Sequence, residues 1–211
     1  MIENILITNL NSVDGVFLTS DTHFFHTNVL KYCNRPFGSV EEMNRALIDN
    51  WNSVVGPDDH VYHLGDFSFG NNEKWNSILE PGVLNGNIHL ILGNHDVPRI
   101  FKEGIKRERF CEITYQKMLL VDGWTIFLNH FPFLDFSNNI DHEVIALCGH
   151  VHYNGTTTGT LTEEKLRLFQ WNQYDVGVDN NNYTPISLEK VFEKIKFQRD
   201  NNTNMSYWYK K

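Results

Sequence analysis

Apolar residues along the chain gather in short runs, and five of these runs stop abruptly in polar groups. "GVFLTSD" spans residues 15–21, "HVYHLGD" 60–66, "NIHLILGN" 87–94, "WTIFLNH" 124–130 and "EVIALCGH" 143–150. Their length and their content of valine, isoleucine, leucine and aromatic residues read as buried β-strand. A further strand region is expected in "LRLFQWNQYDVGV" (166–178), and Asp122-Gly123 reads as a hairpin turn leading into Trp124. Helical spacing is clearest from Val40 to Val55. There Met43, Leu47 and Trp51 recur every fourth residue, and Ser39 and Glu42 have the spacing of a capping box. Ser187 is placed to cap a second helix through "LEKVFEKIKF". Strands separated by helices predict an α/β architecture.

Composition narrows the setting. The chain has 211 residues, 41% hydrophobic and 21% charged, and is expected to fold as a single domain over 1–211. No apolar stretch reaches the ~18 residues of a spanning helix. The acidic start "MIENILITNLNSVDG" does not have the form of a secretory signal, so a cytoplasmic protein without membrane contact is expected. A net charge of −8 argues against extended nucleic-acid binding, which needs clustered lysine and arginine. Cys33, Cys111 and Cys148 form no CxxC pair and are expected as reduced, buried thiols.

The polar groups at the strand ends change the picture. The first run gives Asp21 and His23, the second Asp66, the third Asn94, His95 and Asp96, the fourth His130, the fifth His150 and His152. In α/β sheets, ligands bind beyond the carboxyl ends of the strands, so groups far apart in sequence are expected to converge there. Asp21, His23, Asp66, Asn94, His130, His150 and His152 form a donor set of carboxylate, amide and imidazole without thiolate, suited to Mn2+, Fe, Zn2+ or related ions. Seven donors are too many for one tetrahedral ion and enough for two that share a carboxylate. Gly65, Gly93 and Gly149, each just before one of these donors, are expected to let the chain turn sharply.

In order, "DTH" (21–23), "GD" (65–66), "GNHD" (93–96), His130 and "GHVH" (149–152) resemble the calcineurin-like metallophosphoesterase superfamily. The resemblance implies two mixed β-sheets packed face to face with helices on the outside. It also implies that Asp21, His23 and His152 hold one divalent ion, Asn94, His130 and His150 a second, and that Asp66 bridges them. Mn2+ is expected first, with Fe, Zn2+, Ni2+ and Co2+ as alternatives. His95 matches the position that protonates the leaving oxygen or contacts the phosphoryl group, and Asp96 the one that orients it. Asp96 is alternatively a cap for the segment that starts at "VPR". The implied reaction is in-line attack of a metal-bridging hydroxide on a phosphodiester of a small or nucleotide-like substrate. The alternatives are a phosphomonoesterase and a non-catalytic, metal-stabilised binding module.

Several residues carry two readings. His26 faces the substrate or simply starts a helix. Arg35 grips a phosphate oxygen or forms a surface ion pair. His63 and His89, inside strand patterns, are expected as satisfied sheet histidines, and His60 and His142 as surface residues. Tyr153 and Asn154 line the cleft or begin a loop. Phe25 stands where similar short members often have glycine, so its ring is expected to narrow the mouth of the site. "FSFG" after "GD" lacks the acidic and arginine residues of relatives resembling the Ser/Thr protein phosphatases, which disfavours that activity. Substrate choice is then left to short loops such as 24–39 and 153–165, and the tail "MSYWYKK" is too short to imply nucleic-acid binding.

Overall fold

The computed structural model describes residues 6–136, 143–153 and 170–203. His142, Asn154, most of the 153–165 loop, residues 166–169 of the expected late strand and the aromatic tail lie outside the described residues.

The apolar runs form the centres of two five-stranded mixed sheets. One has strands β2 (Val16–Thr19), β3 (His60–His63), β4 (Asn87–Ile91) and β5 (Phe110–Thr114) running parallel, with β10 (Ile186–Ser187) antiparallel on the β2 edge. The other has the order β1 (Leu6–Asn9), β6 (Gln116–Val121), β7 (Trp124–Asn129), β8 (Val144–Cys148) and β9 (Gln173–Asp175), in which only β6 and β7 are antiparallel. The β6–β7 hairpin turns at Asp122 and Gly123, both left-handed (φ 50° and 82°), as the two-residue loop requires. The stretch "EITYQKMLLV" breaks at Tyr115, so that β5 belongs to one sheet and β6 to the other.

Period-2 alternation decides what each face buries. Leu18, Tyr62, Leu64 and Ile91 of the first sheet meet Leu119, Ile126, Leu128, Ile145, Leu147 and Tyr174 of the second, making the layer between the sheets. The opposite face of the first sheet, through Val61, Ile88 and Leu90, packs under α1 (Thr27–Tyr32), α2 (Val40–Val54) and α3 (Asn72–Leu79). Met43, Leu47 and Trp51 of α2 point into this core, and the Ser39 Oγ accepts from Glu42 N at 3.1 Å. A short helix α4 (Val97–Ile100) follows β4, and α5 (Leu188–Asp200), capped by Ser187, places Leu188, Val191 and Ile195 against the layer between the sheets. Cys33 and Cys148 are buried as expected, but Cys111 is exposed, because the outer β5 edge leaves it uncovered. His63 is buried and bonded to Thr22 Oγ1 at 2.9 Å. His89 pairs with Glu112 at 2.7 Å and with the exposed His60 at 2.9 Å. No described helix is long and apolar enough to cross a membrane.

The parallel strands β2, β3 and β4 and, in the second sheet, β7 and β8 release their polar residues at one end of the sandwich. The functional groups collect there.

Candidate metal centre

Regular strand geometry would send successive side chains to opposite faces, so strand ends that aim several donors at one point must leave it. They do so by left-handed turns. Asp21 (φ 58°), His23 (48°), Asp66 (56°), His150 (70°) and His152 (47°) all adopt a conformation that costs a non-glycine residue about 1 kcal/mol or more. The loops hold one another in place: Asp21 N donates to Gly65 O (2.9 Å), His23 N to Asp66 O (3.0 Å) and Gly149 N to His130 O (3.0 Å). Of the three glycines expected to provide sharp turns, only Gly65 is left-handed (φ 95°). Gly93 and Gly149 serve close approach instead. A Cβ on Gly149 would fall on Ser20 Oγ and Asp21 Oδ2, and one on Gly93 would lie 2.5 Å from Asp66 N.

All seven expected donors come together. Asp21, His23 and His152 form one group and Asp66, His130 and His150 another, with ligand atoms inside each group within 4.8 Å of one another. In the first, the Nε2 atoms of His23 and His152 are 3.1 Å apart, and Asp21 Oδ1 lies 3.9 Å and 3.5 Å from them. In the second, His130 Nε2 is 3.1 Å from Asn94 Oδ1 and 3.3 Å from His150 Nδ1. Asp66 Oδ2 sits between the groups, 3.5 Å from His23 Nε2 and 3.6 Å from His130 Nε2. Its other oxygen accepts from His95 N at 2.9 Å. The His95 ring stands half-exposed at the opening, with Nε2 3.9 Å from Asp66 Oδ2.

The electrostatics of these side chains are those of a site short of positive charge. Burial, then the Asp21 charge, pushes the Asp66 carboxyl up to about 7. Burial, then the neighbouring His152, holds the His23 imidazole well below 6.5, and burial followed by His130 lowers both His95 and His150. Burial works against a charge on His152 too, yet Asp21 and the hydrogen bond to Asp179 hold it well above 6.5. Asp21 Oδ1 is buried and accepts no hydrogen bond, while Oδ2 takes the N–H of His150 at 2.8 Å. A buried carboxylate oxygen with no partner, facing two imidazole nitrogens, fits a divalent cation.

The model of the calcineurin-like phosphoesterase family matches residues 16–203. The chain belongs to that family. An uncharacterised protein of Methanocaldococcus jannaschii is 40% identical over 193 residues, 89% of this chain and 97% of that one. The Gene 66 protein of Mycobacterium phage L5 is 38% identical over 89 residues, 41% of this chain and 42% of that one. A crystal structure of a protein of unknown function from Aquifex aeolicus has the same fold, with a TM-score of 0.60 and 26% identity over 84% of this chain and 97% of the other. Family membership implies divalent metal ions, which the two donor groups are able to hold.

Two expectations change, those for Asp96 and Arg35. Asp96 stands at the N-cap position of α4, but its side chain neither caps the helix nor orients His95. Fully buried, it accepts Asp66 N (2.7 Å) and Gly93 N (2.9 Å) on Oδ2 and Phe67 N (2.9 Å) on Oδ1, which leaves no hydrogen bond to the His95 ring. Arg35 reaches neither the surface nor the opening. It is 4% exposed, with Nε and Nη2 on Asp179 (2.9 and 2.8 Å) and the other three N–H groups on Asp21 O (2.6 Å), Thr22 O (3.1 Å) and Met43 Sδ (3.4 Å), because burial of a guanidinium demands acceptors on every side. His26 begins α1, with its ring stacked on Phe69 at 3.8 Å and Nδ1 3.2 Å from His23 Nδ1. Phe25 is partly buried and packs against the helix-covered core.

Asp175 and Asp179 were not singled out in the sequence. Asp179 accepts His152 Nδ1 at 2.8 Å, and Arg35 holds its carboxyl down at about 2 despite burial. Asp175 is buried beside Gly177 and pushed up to about 7 by burial and by Asp21. The signal was present: "QYDVGVD" is one more apolar run ending in acid.

The placement of Asp96 gives a direct test. Asp96→Ala strips three buried N–H donors of their acceptor, so the metal-free protein is expected to lose at least about 2 kcal/mol in urea denaturation. An unchanged midpoint, with only turnover lowered, would return Asp96 to the role of orienting His95.

Proposed function

We propose that this family member is a dinuclear metal-dependent phosphoesterase acting on a phosphodiester of a small or nucleotide-like molecule. The observation that carries the reading is the position of Asp66 Oδ2, nearly equidistant from an imidazole nitrogen of each donor group. An oxygen so placed would be within reach of a cation held by either group. Asp21, His23 and His152 would hold the first ion and Asn94, His130 and His150 the second, with Mn2+ the first choice for this oxygen and imidazole set. Bound there, two divalent ions lower the pKa of a coordinated water and neutralise charge on the phosphoryl oxygens.

The chain's own residues supply the rest. His130 Nδ1 donates to Leu64 O at 2.8 Å, which leaves Nε2 with its lone pair toward the centre. His95 is the one imidazole of the cluster standing half-exposed at the opening, where it would give a proton to the departing oxygen or contact the phosphoryl group. Preference for a diester is supported by the fate of Arg35. The Arg35 guanidinium is committed to Asp179, and a singly charged diester demands less positive charge of the site than a dianionic monoester.

Hydrolysis of bis-p-nitrophenyl phosphate and p-nitrophenyl phosphate with Mn2+, and its loss with EDTA, tests the reading. Turnover of the diester in excess supports it, turnover of the monoester alone makes the protein a monoesterase, and turnover of neither, nor of a nucleotide panel, makes it a binding module. His95→Ala is expected to retain both ions and lose about 10²–10⁴ in kcat, with a smaller loss for p-nitrophenolate leaving groups. Equal losses for good and poor leaving groups would contradict an acid role.

Metal affinity is expected to depend on pH. Asp66 must ionise to act as ligand, and in the metal-free protein it holds its proton up to about pH 7. Below that pH, loading the site expels the single Asp66 proton, together with the one His152 holds at Nε2, so apparent affinity should rise from about pH 5.5 to 7. Calorimetry in two buffers of different ionisation enthalpy counts the protons. A pH-independent affinity would show that Asp66 is not a ligand.

A further inference from the structure

Two elements distant in sequence meet behind the first donor group. Arg35, just after α1, directs Nη2 to the carbonyl of Asp21 (2.6 Å) and Nη1 to that of Thr22 (3.1 Å), inside the left-handed stretch that carries Asp21 and His23. Its Nε and Nη2 also grip both oxygens of Asp179 (2.9 and 2.8 Å), in the bidentate geometry that lysine does not reproduce. Asp179 Oδ2 in turn accepts from His152 Nδ1 at 2.8 Å. Both partners of the ion pair are almost wholly inaccessible to water.

We infer that Arg35 and Asp179 are positioning residues that set the metal affinity of the first site, by fixing the tautomer of His152 and the turn that presents Asp21 and His23. The inference rests on the dinuclear reading above. The chemistry of the chain of contacts is one-directional. Arg35 only donates, so Asp179 must accept on that side. His152 can ligate through Nε2 only if its proton sits on Nδ1, so Asp179 must accept on that side as well. Asparagine at 179 therefore fails in either orientation of its amide. With the NH2 toward His152 it favours the tautomer that protonates Nε2, and with the NH2 toward Arg35 it sets donor against donor.

The second site is an internal control. His130 is oriented by the main-chain oxygen of Leu64. Among the described residues, neither Arg35 nor Asp179 is a hydrogen-bond partner of Asn94, His130 or His150, whose link to the first site is the main-chain N–H of His150 on Asp21 Oδ2. A defect confined to one of two sites thus separates positioning from general loss of structure.

The test is Mn2+ titration of metal-free wild-type, Asp179→Asn and Arg35→Lys proteins by calorimetry. Wild type should bind two ions. In Asp179→Asn one of the two affinities should fall at least about tenfold while the other stays within about twofold, and Arg35→Lys should weaken the same site. Retention of both wild-type affinities in Asp179→Asn, or equal weakening of both, would overturn the inference. Fewer than two ions on wild type would contradict the dinuclear reading instead, and the inference falls with it. A measurement on unmutated protein guards against variants that fail to fold. In the Zn2+-loaded protein, 15N spectroscopy should find the His152 proton on Nδ1, and a proton on Nε2 would overturn the assignment.

Discussion

A carboxylate buried without a partner is among the least favourable groups a protein can contain, and this fold gathers several acids where water scarcely reaches. Asp21, Asp66, Asp96, Asp175 and Asp179 are all buried, and Asp21 Oδ1 accepts no hydrogen bond. Some of that demand is met internally. Three main-chain N–H groups meet Asp96 and a guanidinium meets Asp179. Asp66 and Asp175 respond by holding their protons up to about 7. Asp21 Oδ1 and Asp175 Oδ2 remain without a hydrogen bond. Asp21 Oδ1 and Asp66 Oδ2 face four imidazole nitrogens, and divalent cations there would satisfy acids and imidazoles together.

The backbone is shaped to the same end. Five of the seven donors sit in left-handed conformations, a strain tolerated only where the surrounding structure over-determines it. Here the restraint comes from loop-to-loop hydrogen bonds, from Gly65, Gly93 and Gly149 at points where a Cβ would collide with a neighbouring loop, and from Asp96, which ties the loop after β3 to the loop after β4. Positioning of the donors and stability of the sandwich end are therefore one problem. The parallel strands of the two sheets aim their carboxyl ends at a single place, and the loops there have no freedom to drift independently.

Much of this was legible in the sequence because the relevant information is local. Each apolar run that ends in acid, amide or imidazole states both the strand and its terminal chemistry, and the ordered motifs from Asp21 to His152 carried the two-sheet fold with them. The Asp122-Gly123 hairpin and the Ser39 and Ser187 caps are likewise local signals. The errors concern partners. Whether Asp96 faces an imidazole or three amides, and whether Arg35 faces solvent or Asp179, depends on residues 29 or 144 positions away. Residue type alone favoured the surface for Arg35, since arginine is buried only when paired, and its partner Asp179 lies far along the chain. Asp175 and Asp179 follow the strand-end rule that holds for the other acids, but their run lacks the histidines that mark the other strand ends. The breaks that send β5 and β6 to different sheets, and the short helices α1, α3 and α4, are set by packing more than by pattern.

The central claim is that Asp66 Oδ2 is shared by two cations. It is tested most directly by an anomalous difference map from a crystal grown with Mn2+. The expected result is two peaks about 3.5–4 Å apart on either side of that oxygen, one among Asp21, His23 and His152 and the other among Asn94, His130 and His150. A single peak, or two peaks that do not share Asp66, would contradict the account.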